Sequence, residues 1–446
     1  MPNSIARVLV ANRAAIARRV VRACNEMGID TVAVYSDADI GAPHLMEASH
    51  AVHLPGMQAG DTYLNRDLLI DVAKASNCDA VHPGYGFLAE DAPFARAVEQ
   101  TGMVFIGPKP DQLEAMGDKV NARSVFTEQG FPVFPGSKLL VDDEAALDAA
   151  EHIRYPVLVK PAGGGGGMGM EVVADAEGLV DALGRARAIA GAAFGNSGVY
   201  LEKYITAPRH IEFQIAADSA GHAVHLFERE CSVQRRNQKL IEESPAPGIA
   251  AEQVSALADQ AAQVLTNLKY TNVGTLETLF AADGSVGFLE MNTRIQVEHG
   301  VTEAITGLDL VKLQIELAAG GELPERIERQ GFAIEARIYA EDPVTMLPST
   351  GRLSRFQPPH LHGVRIETGY AAGQTITPYY DAMLAKVIAH AHTRELAIGR
   401  LLVALKSFAI TGVTTNQALL LRVLSDRDFL AGRVDTHIVE RILNNG

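Results

Sequence analysis

Two glutamates and an asparagine near the middle of the chain have the residue types and the spacing of a magnesium site. Asp283-Gly284 is a strong signal for a two-residue hairpin turn, and it lies between the runs GTLETLF and VGFLEMN. A hairpin centred on that turn places Glu277 directly opposite Glu290, and opposed like charges destabilise a sheet. A divalent cation would remove the repulsion, and magnesium prefers carboxylate oxygens. Side-chain alternation along the strand adds Asn292 to the same face.

A row of further polar side chains is predicted beyond this pair. If the extended conformation continues past Asn292, then Arg294, Gln296 and Glu298 project from the same face. The residues that alternate with them are mostly apolar and suit a buried face: Met291, Ile295 and Val297. A solvated strand face has no need for two opposed glutamates followed by this ordered series. We therefore interpret the row as site residues.

A run of five glycines predicts a loop that phosphate oxygens can approach. The segment 155–173, YPVLVKPAGGGGGMGMEVV, has apolar flanks of strand type, which indicates a hairpin rather than a flexible linker. A hairpin turn needs only about two residues, so the additional glycines indicate close approach of a ligand to bare backbone amides. The segment matches neither a Walker loop nor a dinucleotide-binding fingerprint, because a strand follows it instead of a helix. Lys160 lies just before the glycines.

The elements that must position these residues fall into three parts. Residues 1–115 alternate short apolar runs with amphipathic helices, beginning with a βαβ unit over 7–36, and this pattern predicts an open parallel sheet. Such sheets bind ligands at the carboxyl ends of their strands, where HPGYGF (82–87) falls, although a simple turn explains that segment equally well. Residues 131–204 have the size and spacing of a lid. The rest of the chain alternates strands and helices of a larger α+β domain.

Composition limits the classes of protein to consider. The 446 residues include 54 acidic and 39 basic side chains, and the net charge of −15 disfavours binding to nucleic acid or to anionic membranes. Three separated cysteines match no disulfide or metal-site spacing, which favours a reducing compartment. The N-terminus lacks the apolar core of a signal peptide, and no apolar run approaches the about 20 residues of a membrane span. We therefore expect a cytoplasmic protein without membrane or nucleic-acid partners.

Several motifs together resemble one family over nearly the whole chain. In order they are ANR, HPGYGFL, GDK, the glycine hairpin, EKYI, PRHIEFQ, QRRNQK, EMNTRIQVEH and AEDP, and they resemble biotin carboxylases of the ATP-grasp superfamily. The resemblance implies a combined α/β and α+β architecture with the ATP-grasp fold. It divides the chain into an N-terminal open parallel α/β domain (1–115), an ATP-grasp region (116–330) with a small mobile lid (131–204), and a C-terminal α+β domain (331–446).

The resemblance also implies a reaction, cofactors and partners. Biotin carboxylases use ATP to activate bicarbonate as carboxyphosphate and transfer the carboxyl group to a carrier-bound biotin, giving ADP, phosphate and carboxybiotin. The implied cofactors are ATP, one or two Mg²⁺ that Mn²⁺ can replace, and biotin. The sequence contains no Met-Lys pair of the kind that carries biotin, so we expect a separate biotin carboxyl carrier protein and carboxyltransferase subunits. The family also implies a homodimer.

Site residues are carried over from the family motifs by position. The implied contacts to ATP are Lys119, Lys160, Gly166, Gly167, Glu202, Lys203, Tyr204, Ile205, His210, Gln234, Asn237 and Leu279. The implied metal ligands are Glu277, Glu290 and Asn292. The implied catalytic groups are Lys239, Arg294, Gln296, the backbone of Val297, Glu298 and Arg337. Among these, Glu298 is implied as the base that deprotonates bicarbonate, and Arg337 as the group that stabilises the enolate-like oxygen of biotin.

Four positions depart from the pattern most common in acetyl-CoA carboxylase subunits. They are Ala14-Ala15, Met168, Asn237 and Gly300, which stand in place of Gly-Glu, a basic residue, histidine and proline. None removes an implied ligand or the base. Membership in acetyl-CoA carboxylase, in another acyl-CoA carboxylase or in a urea-type carboxylase therefore stays open. A non-biotin ATP-grasp ligase and a nucleotide-binding regulatory subunit are the alternatives from other classes.

Overall fold

The computed structural model describes residues 5–163, 167–343 and 345–444. Its first unit is a five-stranded parallel sheet in the order β3-β2-β1-β4-β5, as predicted. The strands are β1 (Arg7–Val10), β2 (Asp30–Tyr35), β3 (His50–His53), β4 (Ala80–His82) and β5 (Val104–Phe105). The helices are α1 (Ala14–Glu26), α2 (Pro43–Glu47), α3 (Arg66–Ala75), α4 (Ala92–Gln100), α5 (Pro110–Gly117) and α6 (Lys119–Glu128), with short 3₁₀ turns at Asp37–Asp39 and Ala59–Asp61.

The lid (131–204) is a three-stranded antiparallel sheet with two helices. Its elements are α7 (Asp143–Ile153), β6 (Val157–Pro161), β7 (Glu171–Val173), α8 (Leu179–Phe194) and β8 (Val199–Lys203). Strand β6 lies between β7 and β8, so the glycine segment does connect two paired strands as predicted. Residues 164–166, which include the predicted contact Gly166, lie outside the described residues.

One eight-stranded sheet carries most of the remaining chain, in the order β13-β12-β9-β10-β11-β14-β19-β17. Its first part comprises β9 (Arg209–Ala217), β10 (Ala223–Arg235), β11 (Gln238–Ser244), α9 (Ala251–Asn267), β12 (Asn272–Phe280), β13 (Val286–Asn292), α10 (His299–Thr306) and α11 (Leu310–Ala318). Helix α9 covers one face with buried residues such as Val254 and Leu265. The opposite face is unusually polar, and it carries the candidate site.

The C-terminal part continues the same sheet. Its elements are β14 (Phe332–Tyr339), β15 (Gly351–Arg352), β16 (Arg355–Gln357), β17 (Val364–Glu367), β18 (Thr375–Ile376), β19 (Met383–Ala391), α12 (Arg394–Ser407), β20 (Ala409–Thr411), α13 (Gln417–Leu424), α14 (Arg427–Leu430) and α15 (Ile438–Asn444). Strands β14, β17 and β19 belong to the eight-stranded sheet, so the sheet crosses the domain boundary predicted at residue 330. No helix in the described ranges is long and apolar enough to cross a membrane.

The hairpin β12–β13 has the predicted opposed pair but not the predicted turn. Glu277 does lie opposite Glu290. However, Ala281 and Ser285 close a longer loop in which Gly284 has a φ of +85°, and the register shifts between Glu277 and Thr278. Leu289 is the extra residue of this bulge, which compensates for the longer loop and restores the expected pairing. Strand β13 also ends at Asn292, so the extended conformation that we predicted beyond it is wrong.

Ala14 joins the first unit to the C-terminal part at a crowded point. It has a φ of +55°, a left-handed conformation that costs a residue with a Cβ atom about 1–2 kcal/mol. A Cβ atom on Gly369 would lie 2.2 Å from the Ala14 backbone, so this contact requires glycine on the C-terminal side. The family pattern has glycine at position 14 as well, and the alanine here therefore carries local strain that the pattern avoids.

Candidate active site

An acidic row crosses four adjacent strands on the polar face of the sheet. Glu290 on β13 pairs with Glu277 on β12, Glu277 pairs with Glu212 on β9, and Glu212 pairs with Arg229 on β10. The Arg229 Nε lies 2.5 Å from a Glu212 carboxylate oxygen, and both side chains are fully buried. Three directly opposed glutamates would repel one another strongly. The cations that surround them therefore decide whether the row is stable.

Lys239 on β11 is the cation that holds this row together. Its Nζ lies 2.6 Å from Glu212, 2.9 Å from Glu277 and 2.7 Å from Glu298. Burial alone would lower the pKa of Lys239, but the three carboxylates raise it well above its usual value. Lys239 is therefore a permanent ammonium with three carboxylate partners, beside which a small anion can bind.

Glu298 lies between two cations at the start of α10. One carboxylate oxygen contacts Lys239, and the Nη2 of Arg337 on β14 lies 2.8 Å from the other. Burial would raise the pKa of Glu298, which is 2% exposed, but Lys239, Arg337 and Arg229 hold it well below its usual range. The carboxylate is therefore ionised and can accept a proton.

Residues 292–298 form an irregular turn that brings polar groups to Glu277. The Asn292 Nδ2 and the Gln296 Nε2 donate to the same Glu277 oxygen at 2.9 and 2.7 Å. Arg294 donates to Asn292 Oδ1 at 3.0 Å and also contacts Glu90 of the N-terminal unit at 3.1 Å. The side chains of the predicted polar row thus converge, although the backbone there is not a strand.

The three predicted metal ligands provide only oxygen atoms as ligands, which suits a hard cation such as Mg²⁺. The Glu277 and Glu290 carboxylates face protein cations in this structure: Lys239 Nζ lies 2.9 Å from Glu277, and Lys119 Nζ lies 3.2 Å from Glu290. His210 Nε2 also lies 2.9 Å from Glu277. The repulsion that we used to predict a metal is therefore already reduced by the chain itself. The donor set still fits Mg²⁺, because Asn292 Oδ1 lies on the same side of the hairpin.

The predicted nucleotide contacts surround a second buried carboxylate, Glu202 on β8. Its oxygens lie 2.6 Å from Lys160 Nζ and 3.0 Å from Arg123 Nη1. Lys203 donates to the carbonyl groups of Arg154 and Tyr155 in the lid. The side chains of Glu202 and Lys203 are thus occupied by protein partners, so a ligand can use mainly their backbone groups.

The other predicted contacts occupy neighbouring positions on the sheet and in the lid. Leu279 pairs directly with His210, and Gln234 pairs directly with Lys239. A Cβ atom on Gly167 would lie 2.2 Å from the side-chain amide of Asn237. The glycine segment therefore lies close to Asn237, which is one of the four positions that depart from the family pattern. Tyr204 and Ile205 are half-buried at the end of the lid.

Three family descriptions match consecutive parts of the chain. "Biotin carboxylase, N-terminal domain" matches residues 4–113, "Carbamoyl-phosphate synthase L chain, ATP binding domain" matches 118–326, and "Biotin carboxylase C-terminal domain" matches 335–441. A relative from Allochromatium vinosum named biotin carboxylase is 46% identical over 99% of this chain and 100% of its own length. The chain belongs to the biotin carboxylase family.

Solved biotin carboxylases have the same fold. The biotin carboxylase domain dimer of the 2-oxoglutarate carboxylase from Hydrogenobacter thermophilus, in complex with MgADP, ADP and bicarbonate, matches with a TM-score of 0.96 and 44% identity, covering 98% of this chain and 97% of that one. The β,γ-ATP complex of the Campylobacter jejuni biotin carboxylase matches with a TM-score of 0.96 and 39% identity, covering 98% and 99%. The predicted ATP-grasp fold is confirmed, and as a biotin carboxylase the chain is an ATP-dependent ligase.

Several charged partners in the biotin carboxylase site were not predicted from the sequence. They are Glu90, Arg123, Glu212, Arg229 and Glu242. Glu212 lies within the motif PRHIEFQ, and an acidic residue at an inward-facing strand position is the only signal that could have identified it. The others become partners only through contacts between distant segments, such as the one from Arg294 to Glu90.

Two further buried glutamates lie behind Arg337. Glu242 on β11 directly opposes Glu335 on β14, and both are fully buried. Arg337 Nη2 lies 2.5 Å from Glu242, whereas the nearest cation to Glu335 is Lys386 at 3.8 Å. Burial raises the pKa of Glu242 to about 7 and that of Glu335 to about 8.

This pair should make stability depend on pH. Because the folded-state pKa of Glu335 is raised, folding retains a proton that the unfolded chain releases, so the free energy of unfolding falls as pH rises. We expect a fall of about 1–3 kcal/mol between about pH 5 and about pH 8 in denaturant titrations. Glu335→Gln, which cannot titrate, should flatten this slope. An unchanged slope in the variant would show that other groups cause it.

Proposed function

We propose that this chain carboxylates a carrier-bound biotin with ATP and bicarbonate, and that the acidic row and its cations form the active site. The observation that carries the proposal is the ionised, buried Glu298 between Lys239 and Arg337. A generic nucleotide-binding protein has no need for a buried base held between two cations. Here the base lies two residues beyond Gln296, which contacts the predicted metal ligand Glu277.

On the phosphate side, we assign Lys119 and Lys160 to the ATP phosphates. Glu277, Glu290 and Asn292 would hold Mg²⁺, which would neutralise charge on those phosphates. Both lysines are now paired with carboxylates, namely Glu290 and Glu202. We propose that MgATP replaces the contact of Lys119 with Glu290, which releases the ammonium for the phosphates and the carboxylate for the metal.

On the bicarbonate side, we assign Lys239, Arg294 and the Val297 amide to the anion. A planar guanidinium can grip a planar oxyanion with two hydrogen bonds. Glu298 removes the bicarbonate proton, and Arg337 stabilises the oxygen of the deprotonated biotin. An anion that draws Lys239 away from Glu298 weakens the contact that lowers the pKa of Glu298. Binding of bicarbonate would thus make the carboxylate more basic at the moment when it is needed.

The partners are proposed from family membership. We propose a separate biotin carboxyl carrier protein, carboxyltransferase subunits, a homodimer and a cytoplasmic location. The dimer is supported by the Hydrogenobacter thermophilus structure, which is described as a dimer. The carboxyl acceptor is not determined by this site, because Met168 and Asn237 affect the glycine segment and not the acidic row. Acyl-CoA and urea-type systems therefore remain as alternatives for the whole enzyme.

The decisive experiment measures ADP release with and without bicarbonate and free biotin. We expect ATP hydrolysis that depends on bicarbonate, and carboxybiotin formation when free biotin is added. Hydrolysis that ignores bicarbonate would contradict the proposal. An ATP-dependent ligation of an amine, in place of biotin carboxylation, would favour the carboxylate–amine ligase class.

Replacing a metal ligand gives a specific test of the magnesium assignment. Glu290→Gln keeps the size of the side chain and removes one charge from the opposed pair, so the fold should survive. The magnesium concentration needed for half-maximal turnover should rise by roughly tenfold or more, because a neutral amide oxygen is a weaker ligand for a hard cation. Glu395→Gln, an exposed change on α12, is the control. An unaltered magnesium requirement in Glu290→Gln would refute the assignment.

A further inference from the structure

The turn that carries Val297 and Glu298 is held from behind by two side chains that the assignments above do not use. His299 Nδ1 lies 2.7 Å from the carbonyl oxygen of Gln296. Lys386 on β19 donates a hydrogen bond to the carbonyl oxygen of Val297. Two consecutive peptide groups are therefore fixed through their carbonyl oxygens.

His299 fixes this peptide by donating a hydrogen bond from Nδ1. It is fully buried, and burial together with the nearby Lys386, Arg19 and Arg365 lowers its pKa well below the usual value. A carbonyl oxygen only accepts hydrogen bonds, so the proton of the neutral ring must be on Nδ1. The ring therefore donates from Nδ1 to the Gln296 oxygen.

Lys386 lies in a second charged row, on the three strands beyond the acidic row. It pairs directly with Arg337 on β14 and with Glu367 on β17. Its Nζ lies 2.7 Å from Glu367, and the side chain is 1% exposed. A buried ammonium with Glu367 and the Val297 carbonyl as close partners, and with Glu335 at 3.8 Å, is held in a single position. Lys386 thus links the sheet rigidly to the turn.

Because a peptide group is planar, fixing its carbonyl oxygen also fixes the direction of its N–H group. In a trans peptide the N–H points away from the preceding carbonyl group, so fixing the Gln296 oxygen on His299 directs the Val297 N–H away from His299. Within the described part of the chain, that N–H has no acceptor. Donation to the Gln296 oxygen also polarises the peptide and makes its N–H a stronger donor.

We infer that His299 and Lys386 are positioning residues that aim the Val297 amide and the Glu298 carboxylate at the bicarbonate. This inference rests on the function proposed above, in which both groups meet that anion. Neither side chain touches the substrate. Each acts by fixing a carbonyl oxygen on the side of the turn that faces away from the site.

A matched pair of variants tests the histidine. Asparagine and leucine have nearly the same shape, but only the asparagine amide can donate from the place of Nδ1. His299→Leu should lower kcat/KM for bicarbonate by about 10-fold to 100-fold while KM for MgATP changes by less than about twofold. His299→Asn should recover most of the lost activity. Equal activity of the two variants would overturn the role of the histidine, whether both are active or both impaired.

A second pair tests the lysine even if the first pair folds poorly. Lys386→Met removes the closest cation of Glu367, which keeps only the more distant Arg365 at 3.4 Å and Arg19 at 3.6 Å. Adding Glu367→Gln removes the carboxylate that Lys386 neutralises, while Arg19 and Arg365 keep Glu303 as a partner. We expect the double variant to regain stability in thermal unfolding but to keep a loss in kcat/KM for bicarbonate of about tenfold or more. Wild-type kcat/KM in the double variant would overturn the inference, because the lysine would then serve only to neutralise Glu367.

The same assay separates this inference from the function on which it rests. If the wild-type chain shows no hydrolysis of ATP that depends on bicarbonate, the proposed function fails and the inference fails with it. If the wild type shows that dependence and the four variants retain it with unchanged kcat/KM, only the inference fails.

Discussion

Glu298→Gln should lower both bicarbonate-dependent ADP release and biotin carboxylation by about 100-fold to 10,000-fold, which is the usual contribution of a positioned base. Glutamine keeps the size and the hydrogen-bonding capacity of the side chain, but it has no basic oxygen. Affinity for MgATP should stay close to wild type, because Glu298 is not itself one of the predicted nucleotide contacts. Steady-state kinetics with varied bicarbonate and ATP would measure both effects.

The control for this variant is another buried glutamate with an arginine partner. Glu243 on β11 lies 2.5 Å from Arg394 and is as buried as Glu298, but it packs beside the C-terminal helices. Glu243→Gln should cost stability in denaturant titrations while leaving the bicarbonate dependence intact. If Glu298→Gln carboxylates biotin at the wild-type rate, Glu298 is not the base. If both variants lose activity equally, the loss reflects folding and not catalysis.

The low pKa of Glu298 imposes a condition on this mechanism. A carboxylate held well below its usual pKa is always ionised, but it is a weak base while both cations remain in contact. The pH profile of kcat/KM should therefore show no loss of activity from protonation of Glu298 in the neutral range. Only the bound state, in which Lys239 is shared with the anion, gives the carboxylate its basicity.

The central hairpin shows how far local sequence reasoning can reach. Opposition of Glu277 and Glu290 was correctly predicted, although the turn on which the prediction rested is longer than expected. A bulge at Leu289 compensates for the longer turn, and no local pattern in VGFLEMN indicates that a bulge is present. The opposition was thus predicted from the position of the turn, and it holds because the longer loop and the bulge offset each other.

The parallel sheet and the lid were predictable because periodicity and glycine content are local properties. The partners within the site were less accessible. Lys239 and Glu298 are 59 residues apart, and Arg294 and Glu90 are 204 apart, so only the folded sheet brings them together. The lysine motif QRRNQK resembles an ordinary basic surface segment, and family resemblance was needed to single out Lys239. Composition and spacing could not single out Lys239, because its partners in the site are far from it along the chain.

Lys239→Met should have the largest effect on stability of any single change in the site. Removing the ammonium leaves Glu212, Glu277 and Glu298 buried within one cluster, and breaking a buried ion pair typically costs about 3–5 kcal/mol. Bicarbonate-dependent turnover should also fall by about 100-fold or more, because both the anion contact and the geometry of Glu298 are lost. Denaturant titration and single-turnover assays would measure the two losses separately.

Magnesium provides the control that distinguishes this explanation from a simple packing defect. If the lost stability comes from unneutralised carboxylates, Mg²⁺ should stabilise Lys239→Met more than it stabilises the wild type, because the cation replaces the missing charge at Glu277. Lys312→Met, which removes a lysine from an exposed pair with Glu26, should show no such difference. If Lys239→Met and the wild type have the same free energy of unfolding when both are measured without magnesium, protons and not Lys239 neutralise the acidic row.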